Sequence, residues 1–153
     1  MMGGGQQQLQ QLSQELQAID EEIEELESQV DDLQTEQTEI DEAVEAIQTL
    51  ESGSTVQVPL GGGAYLRAEI QDIDEVIVDL GGDFAAEQSA DDAVDALRTK
   101  QDALDDRIDE VREDIAELES ESSELEQQAQ QMQQQMQQQQ MQQMQQMDEG
   151  GDE

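Results

Sequence analysis

Cysteine, histidine and tryptophan are all absent from this 153-residue sequence, which holds one Phe and one Tyr. Without Cys there is no disulfide, no thiolate nucleophile and no zinc–sulfur site. Without His the usual general base near neutral pH is missing. Bases are scarce as well. Five Lys and Arg stand against 41 Asp and Glu, a formal net charge of −36, and no base precedes Arg67. A surface of that charge repels nucleic-acid phosphates and anionic lipid, so neither nucleic acid nor membrane is an expected partner. No apolar run approaches the ~20 residues of a membrane span. The start, MMGGGQQQ, carries no positive region and no apolar stretch, so no secretory signal is visible and the expected location is the cytoplasm.

Large apolar residues are few. Leu, Ile, Val and Phe together make 31 of 153 residues, the edge of the composition of disordered chains. Either the chain is disordered and acidic, or its few apolar residues follow a pattern in which each one counts. The pattern favours order. The acid excess then reads as adaptation to a salt-rich cytoplasm. The Debye length shrinks from ~10 Å at 0.1 M to ~3 Å near 1 M salt, which removes most of the self-repulsion.

From Leu9 to Ile47 apolar residues recur in alternating steps of three and four. One row is Leu9, Leu16, Ile23, Val30, Gln37 and Val44; the other is Leu12, Ile19, Leu26, Leu33, Ile40 and Ile47. Eleven of these twelve positions are apolar. A 3.5-residue repeat sustained this long is a coiled-coil seam, and the lone polar Gln37 is a register-fixing exception. The repeat stops at Glu51-Ser52-Gly53-Ser54. Thr55 to Leu60 then alternates with period two, Gly61-Gly62-Gly63 turns, and Ala64 to Ile70 alternates again. Val76 to Leu80, Gly81-Gly82-Asp83 and Phe84 to Glu87 repeat the scheme. These are two hairpin signals, with Pro59 marking an edge or a strand end.

After Ser89, a helix start followed by Asp91 and Asp92, the heptads return. One row is Val94, Gln101, Ile108, Ile115, Ser122, Ala129 and Met136; the other is Leu97, Leu104, Val111, Leu118, Leu125 and Met132. Asp95–Arg98 and Asp109–Arg112 have helical i,i+3 spacing. Residues 127–147 are fifteen Gln, five Met and one Ala, compatible with disorder or with a longer second helix. The chain is thus divided into an N-terminal coiled-coil helix over 6–51, two hairpins over 55–88, a C-terminal coiled-coil helix over 90–136 and a Gln/Met-rich, acidic tail over 137–153. The fold class is α+β. Two long antiparallel helices are joined by a β block that is marginal alone and needs partners for its edges. If residue 51 meets a residue near 90, partner numbers sum to about 141 and the tail projects past the first helix.

Helix, two hairpins and helix in this order resemble the alpha subunit of archaeal prefoldin. The stretch Val56-Gln57-Val58-Pro59-Leu60-Gly61-Gly62-Gly63-Ala64-Tyr65-Leu66 is similar to that family's first hairpin. Val76 through Glu87 is similar to its second; the beta subunit has one. The resemblance implies a hexamer of two alpha and four beta subunits, in which the hairpins oligomerise into a β-barrel platform. It further implies coiled-coil tips that hold unfolded client proteins and deliver them to a group II chaperonin without ATP. The chain would then be a holdase subunit and no enzyme.

On that reading the client-binding tip is expected at Leu9, Leu12, Leu16, Met132 and Met136, with Met141, Met144 and Met147, since Met suits surfaces that accept many sequences. The bland alternative is that the first five zip the helices together and the later three are passengers. Oligomerisation is expected through Val56, Val58, Leu60, Leu66, Ile70, Val76, Val78, Leu80 and Phe84; the alternative is a core internal to one subunit. No cofactor and no metal site is expected. Asp72-Ile73-Asp74-Glu75 lacks the glycine and spacing of a calcium loop, and the glycine runs lack the Lys-Ser/Thr of a phosphate loop. Two rivals predict differently. A structural coiled-coil scaffold or tether needs no hairpins and protects no client. An acidic mimic of nucleic acid binds basic proteins and releases them in salt.

Overall fold

The computed structural model describes residues 3–150. Helix α1 spans Gly3–Thr49 and helix α2 spans Ala90–Gly150. Between them lie strands β1 (Thr55–Gly61), β2 (Ala64–Glu69), β3 (Val76–Gly81) and β4 (Phe84–Gln88). The chain divides into a terminal unit, Met1–Val30 with Glu110–Glu153, and a central unit, Asp31–Asp109.

In the central unit the seam rows supply Ile40, Val44 and Ile108 to the core, while Ala93, one position before the seam residue Val94, and Val78 of β3 are buried as well. Val44 is buried almost completely. The helices run antiparallel, as the contacts of Gln37 with Gln101 and of Asp41 with Arg98 require. In the terminal unit Ile19, Val30 and Val111 are buried. There the Sδ of Met136 lies 3.4 Å from where a Cβ on Gly5 would stand, a pair that matches the expected register. Gly5 sits inside a helix, where glycine costs about 1 kcal/mol against alanine. An added methyl would make ordinary contact with Met136, and at Gly4 it would meet nothing within 4 Å. Gly4→Ala with Gly5→Ala is therefore expected to strengthen the start of α1 by up to about 1 kcal/mol per site. Far-UV circular dichroism during thermal unfolding measures this, and a lowered midpoint would count against the placement of Met136.

Both hairpins are antiparallel and form separate two-stranded sheets. In the first, Val56 faces Ala68, Val58 faces Leu66 and Pro59 faces Tyr65. In the second, Val76 faces Gln88, Ile77 faces Glu87 and Val78 faces Ala86. The glycines are needed for backbone reasons. Gly62 and Gly63 form a two-residue turn with positive φ at both positions, as a type I′ hairpin turn demands. Gly61 and Gly81, at φ of 96° and 98°, precede the two turns where each register shifts by one residue.

The connections are tied by short polar bonds. The Ser52 hydroxyl accepts from the Ile73 amide at 3.1 Å, and the Gly53 amide donates to the Ile70 carbonyl at 2.7 Å. Asp72 closes an Asx turn by accepting from the Asp74 amide. Ser89 caps α2, its hydroxyl accepting from the Asp92 amide at 3.3 Å. Asp91 and Asp92 stand in the first turn, where the positive end of the helix dipole favours them.

The helix does not end at the Gln/Met-rich stretch. It continues to Gly150, because Gln and Met are both good helix formers and no Gly or Pro interrupts them before Gly150. Residues 151–153 of the expected tail lie outside the described residues.

Candidate functional site

Two sets of apolar side chains are left uncovered, one in each unit. The first is on the hairpins. Val58 pairs across the ladder with Leu66, both exposed, and Leu60 beside them is 64% exposed. In the second hairpin Phe84 is 75% exposed and Leu80 half exposed. Val56, Ile70 and Val76 are only partly exposed. Two exposed residues escape a simple reading of alternation. Ile77, 73% exposed, lies on the opposite face of β3 from Val78, and Tyr65 lies opposite Leu66 in the same way. Both were findable, because each is a large apolar residue on a strand with no second layer to cover its other face. Val78 goes the other way. At 4% exposure its side chain is already enclosed by its own subunit, which favours the internal-core alternative at that position. All four strands are sheet edges, so each hairpin leaves backbone donors and acceptors along both sides.

The second set is in the terminal unit. Leu9, Leu12, Leu16, Met132 and Met136 are partly buried along the seam. Every described side chain from Gln137 to Asp148 is exposed. Met141, Met144 and Met147 are exposed to 71%, 74% and 82%. The structure thus separates the first five residues, which pack, from the last three, which do not.

Between the helices of the central unit lies a polar layer. Gln37 is not a lone exception in the seam, since Gln101, from the other helix's seam, meets it. The Gln37 side-chain Nε2 donates to the Gln101 backbone carbonyl at 3.4 Å, and the Gln101 side-chain Nε2 donates to the Gln37 backbone carbonyl at 3.1 Å. Gln37 also donates to Asp105, and Gln101 to Asp41 at 2.8 Å. Arg98 donates to Asp41 at 2.9 Å and to the Gln101 side-chain oxygen at 2.8 Å. Arg98 therefore reaches across to α1 instead of serving the i,i+3 pair with Asp95. The bond from Gln101, then that from Arg98, holds the Asp41 carboxyl below its ordinary pKa. A lowered carboxylate contributes stability that is full above its unfolded pKa and is lost as pH falls through its folded value. Both members of the ion pair are about half exposed or more, so its contribution is small. Gln37→Leu with Gln101→Leu is expected to raise the thermal midpoint while loosening the choice of register, the trade known for polar seam residues. Cysteine cross-linking across the helices reads the register; a lowered midpoint would show the layer to be the stronger packing.

Two further concavities, both in the central unit, are open clefts. One of about 400 Å³ is lined by Glu36, Ile40, Ala43, Leu97, Lys100 and Leu104 among others. A second of about 520 Å³ is lined by Ile47, Leu50, Ile73 and Val94 with two aspartates. Neither gathers a nucleophile with a base. Among the described residues no group of three or more Asp or Glu is placed to hold a metal ion, and no helix is long and apolar enough to cross a membrane.

Comparison with known proteins decides the family. The model of the prefoldin subunit family matches residues 19–146. The chain belongs to the prefoldin family. Its sequence is 77% identical over 108 residues to prefoldin subunit alpha of Halorubrum lacusprofundi, covering 71% of each chain. It is 82% identical over 106 residues to prefoldin subunit alpha of Haloquadratum walsbyi, covering 69% of each. The fold is similar to a cryo-EM structure of filamentous PFD from Methanocaldococcus jannaschii. That match has a TM-score of 0.64 and 23% identity, and covers 74% of this chain and 96% of the other.

Membership sets the chemistry in context. Family membership implies a chaperone-type function, which directs attention to the apolar, uncovered surfaces. The two alpha-subunit relatives named above come from halophilic archaea. For this prefoldin chain the uncovered hairpins and the uncovered methionines are the two candidate sites.

Proposed function

We propose that the chain is a subunit of an ATP-independent holdase that captures unfolded proteins and delivers them to a group II chaperonin in the cytoplasm. Its hairpins join those of beta subunits, two alpha with four beta, in a β-barrel platform. Val58, Leu60, Leu66, Leu80 and Phe84 supply the apolar contact, with Ile77 and Tyr65 added. Val56, Ile70 and Val76, partly covered, and Val78, buried within the subunit, hold each hairpin in shape. The observation that carries this reading is the exposure of Leu60, Ile77 and Phe84 on two hairpins that have no third strand. A two-stranded sheet is marginal in water, and covering these side chains at roughly 25 cal/mol per Å² of apolar surface stabilises it.

Clients are held in the terminal unit by Met141, Met144 and Met147, backed by Met132, Met136, Leu9, Leu12 and Leu16. Flexible thioethers adapt to many apolar sequences. The neutral Gln background of 127–147 keeps the contact free of the repulsion that an acidic chain imposes elsewhere. The test is protection of a guanidinium-unfolded enzyme diluted into high salt with the assembled protein and no nucleotide. The expected result is suppressed light scattering that persists as salt is raised, because apolar contacts strengthen under those conditions. A tether would give no protection, and an acidic decoy would lose its partner as salt rises. Deletion of residues 127–153 is expected to abolish most of the protection while leaving the assembly intact. Undiminished protection would remove the tail from the mechanism.

A further inference from the structure

We propose that Met141, Met144 and Met147 form an oxidant-responsive modification site. Two-electron oxidants, peroxide or hypohalous acid, convert the three thioethers to sulfoxides and thereby weaken the hold on apolar clients. The modification stands on geometry; its consequence rests on the function proposed above.

The chain has no cysteine, so its thioethers are the sulfurs open to reversible oxidation. Access divides them. Met141, Met144 and Met147 are exposed to 71%, 74% and 82%. Their spacing of three places them within an arc of about 120° on one side of α2. Met132 and Met136 are partly buried, and the Met136 sulfur is covered by α1 where Gly5 leaves the backbone bare. Residues 127–147 contain no charged side chain, but Asp148 follows Met147 directly and stands one turn from Met144, so uncharged oxidants such as hydrogen peroxide reach the sulfurs without repulsion.

The step balances without help from the protein. A sulfur lone pair attacks one peroxide oxygen, the O–O bond breaks, the S–O bond forms and water leaves after proton transfer. Sulfur is oxidised by two electrons and peroxide is reduced by two. The product is a polar, chiral side chain. The other residues between Gln137 and Gln146 are all Gln, so oxidation turns an apolar stripe on a polar helix into a surface that is polar throughout. Methionine sulfoxide reductases restore the thioether.

The experiment uses the full-length chain in the assembly it forms at high salt. It is treated with graded hydrogen peroxide, mapped by peptide mass spectrometry, and assayed in parallel for protection of an unfolded enzyme. Met141, Met144 and Met147 are expected to gain one oxygen each before Met132 and Met136 do. The concentration needed for half protection should then rise on the order of tenfold, and reductase treatment should reverse it. Met141→Leu, Met144→Leu and Met147→Leu together remove the three thioethers, so whatever protection that variant gives should be the same before and after peroxide. The corresponding triple change to Gln should imitate the oxidised state without peroxide. Equal oxidation rates at Met132, Met136, Met141, Met144 and Met147 would overturn the site. Unchanged protection with three complete sulfoxides would overturn the switch, as would a Leu variant that fails under peroxide like the unaltered chain. If the untreated assembly protects nothing, the proposed function fails and the client step falls with it, while the order of oxidation still decides the site.

Discussion

Ile77→Asp combined with Phe84→Asp leaves both helices folded and prevents higher assembly. Each side chain is about three-quarters exposed in the subunit, so the substitutions remove almost no internal packing. Exposed changes of this kind cost within about 0.5 kcal/mol of subunit stability. In an assembled platform the same positions would be desolvated, and an unpaired carboxylate there costs several kcal/mol. With two such changes in a subunit that already carries −36, assembly should fail outright. Size-exclusion chromatography with light scattering and far-UV circular dichroism read the two outcomes separately. Val78→Ala is the control. Val78 is enclosed within its own subunit, so its truncation is expected to lower subunit stability by about 1–3 kcal/mol and to act on assembly only through that loss. Normal assembly of the Asp variant would show that Ile77 and Phe84 face solvent in the working protein.

Dilution from about 1 M salt to about 10 mM lengthens the Debye length from ~3 Å to ~30 Å. The expected result is a large loss of helix and of assembly. The seam is thin: in the terminal unit, Ile19, Val30 and Val111 are buried, while acidic residues fill the positions around them. With five bases in the whole chain, compensation by ion pairs has little material. The Arg98–Asp41 pair is itself largely solvated and would not offset the repulsion. Cohesion therefore comes from the seam, the hairpins and dissolved salt. A potassium chloride titration followed by circular dichroism and light scattering measures this. Full helicity at about 10 mM would contradict the halophilic reading.

The fold was open to reading from pattern because its elements depend on local periodicity. A 3.5-residue repeat and a period of two separated by glycine turns leave few alternatives. Glycine marks at 61–63 and 81–82 locate both hairpins, since positive φ in those turns excludes ordinary side chains. What pattern does not carry is the partner of a polar seam residue. Gln37 and Gln101 belong to separate rows, and their meeting depends on the register between two helices. Composition likewise leaves the order of 127–147 open, because a Gln/Met sequence lacks charge and pattern and helix propensity alone is a weak prior. Alternation puts Val78 and Leu80 together, yet one is buried and the other half exposed. The difference is set by what lies over each end of the hairpin, which a two-residue period does not encode.

We propose that this chain does its work as part of a mixed prefoldin assembly built on its hairpins. The most direct measurement is the mass, in high salt, of the complex recovered when the chain is co-expressed with a one-hairpin prefoldin partner. The account predicts a hexamer holding two copies of this chain and four of the partner. A lone monomer, or a coiled-coil dimer with no partner bound, would contradict it.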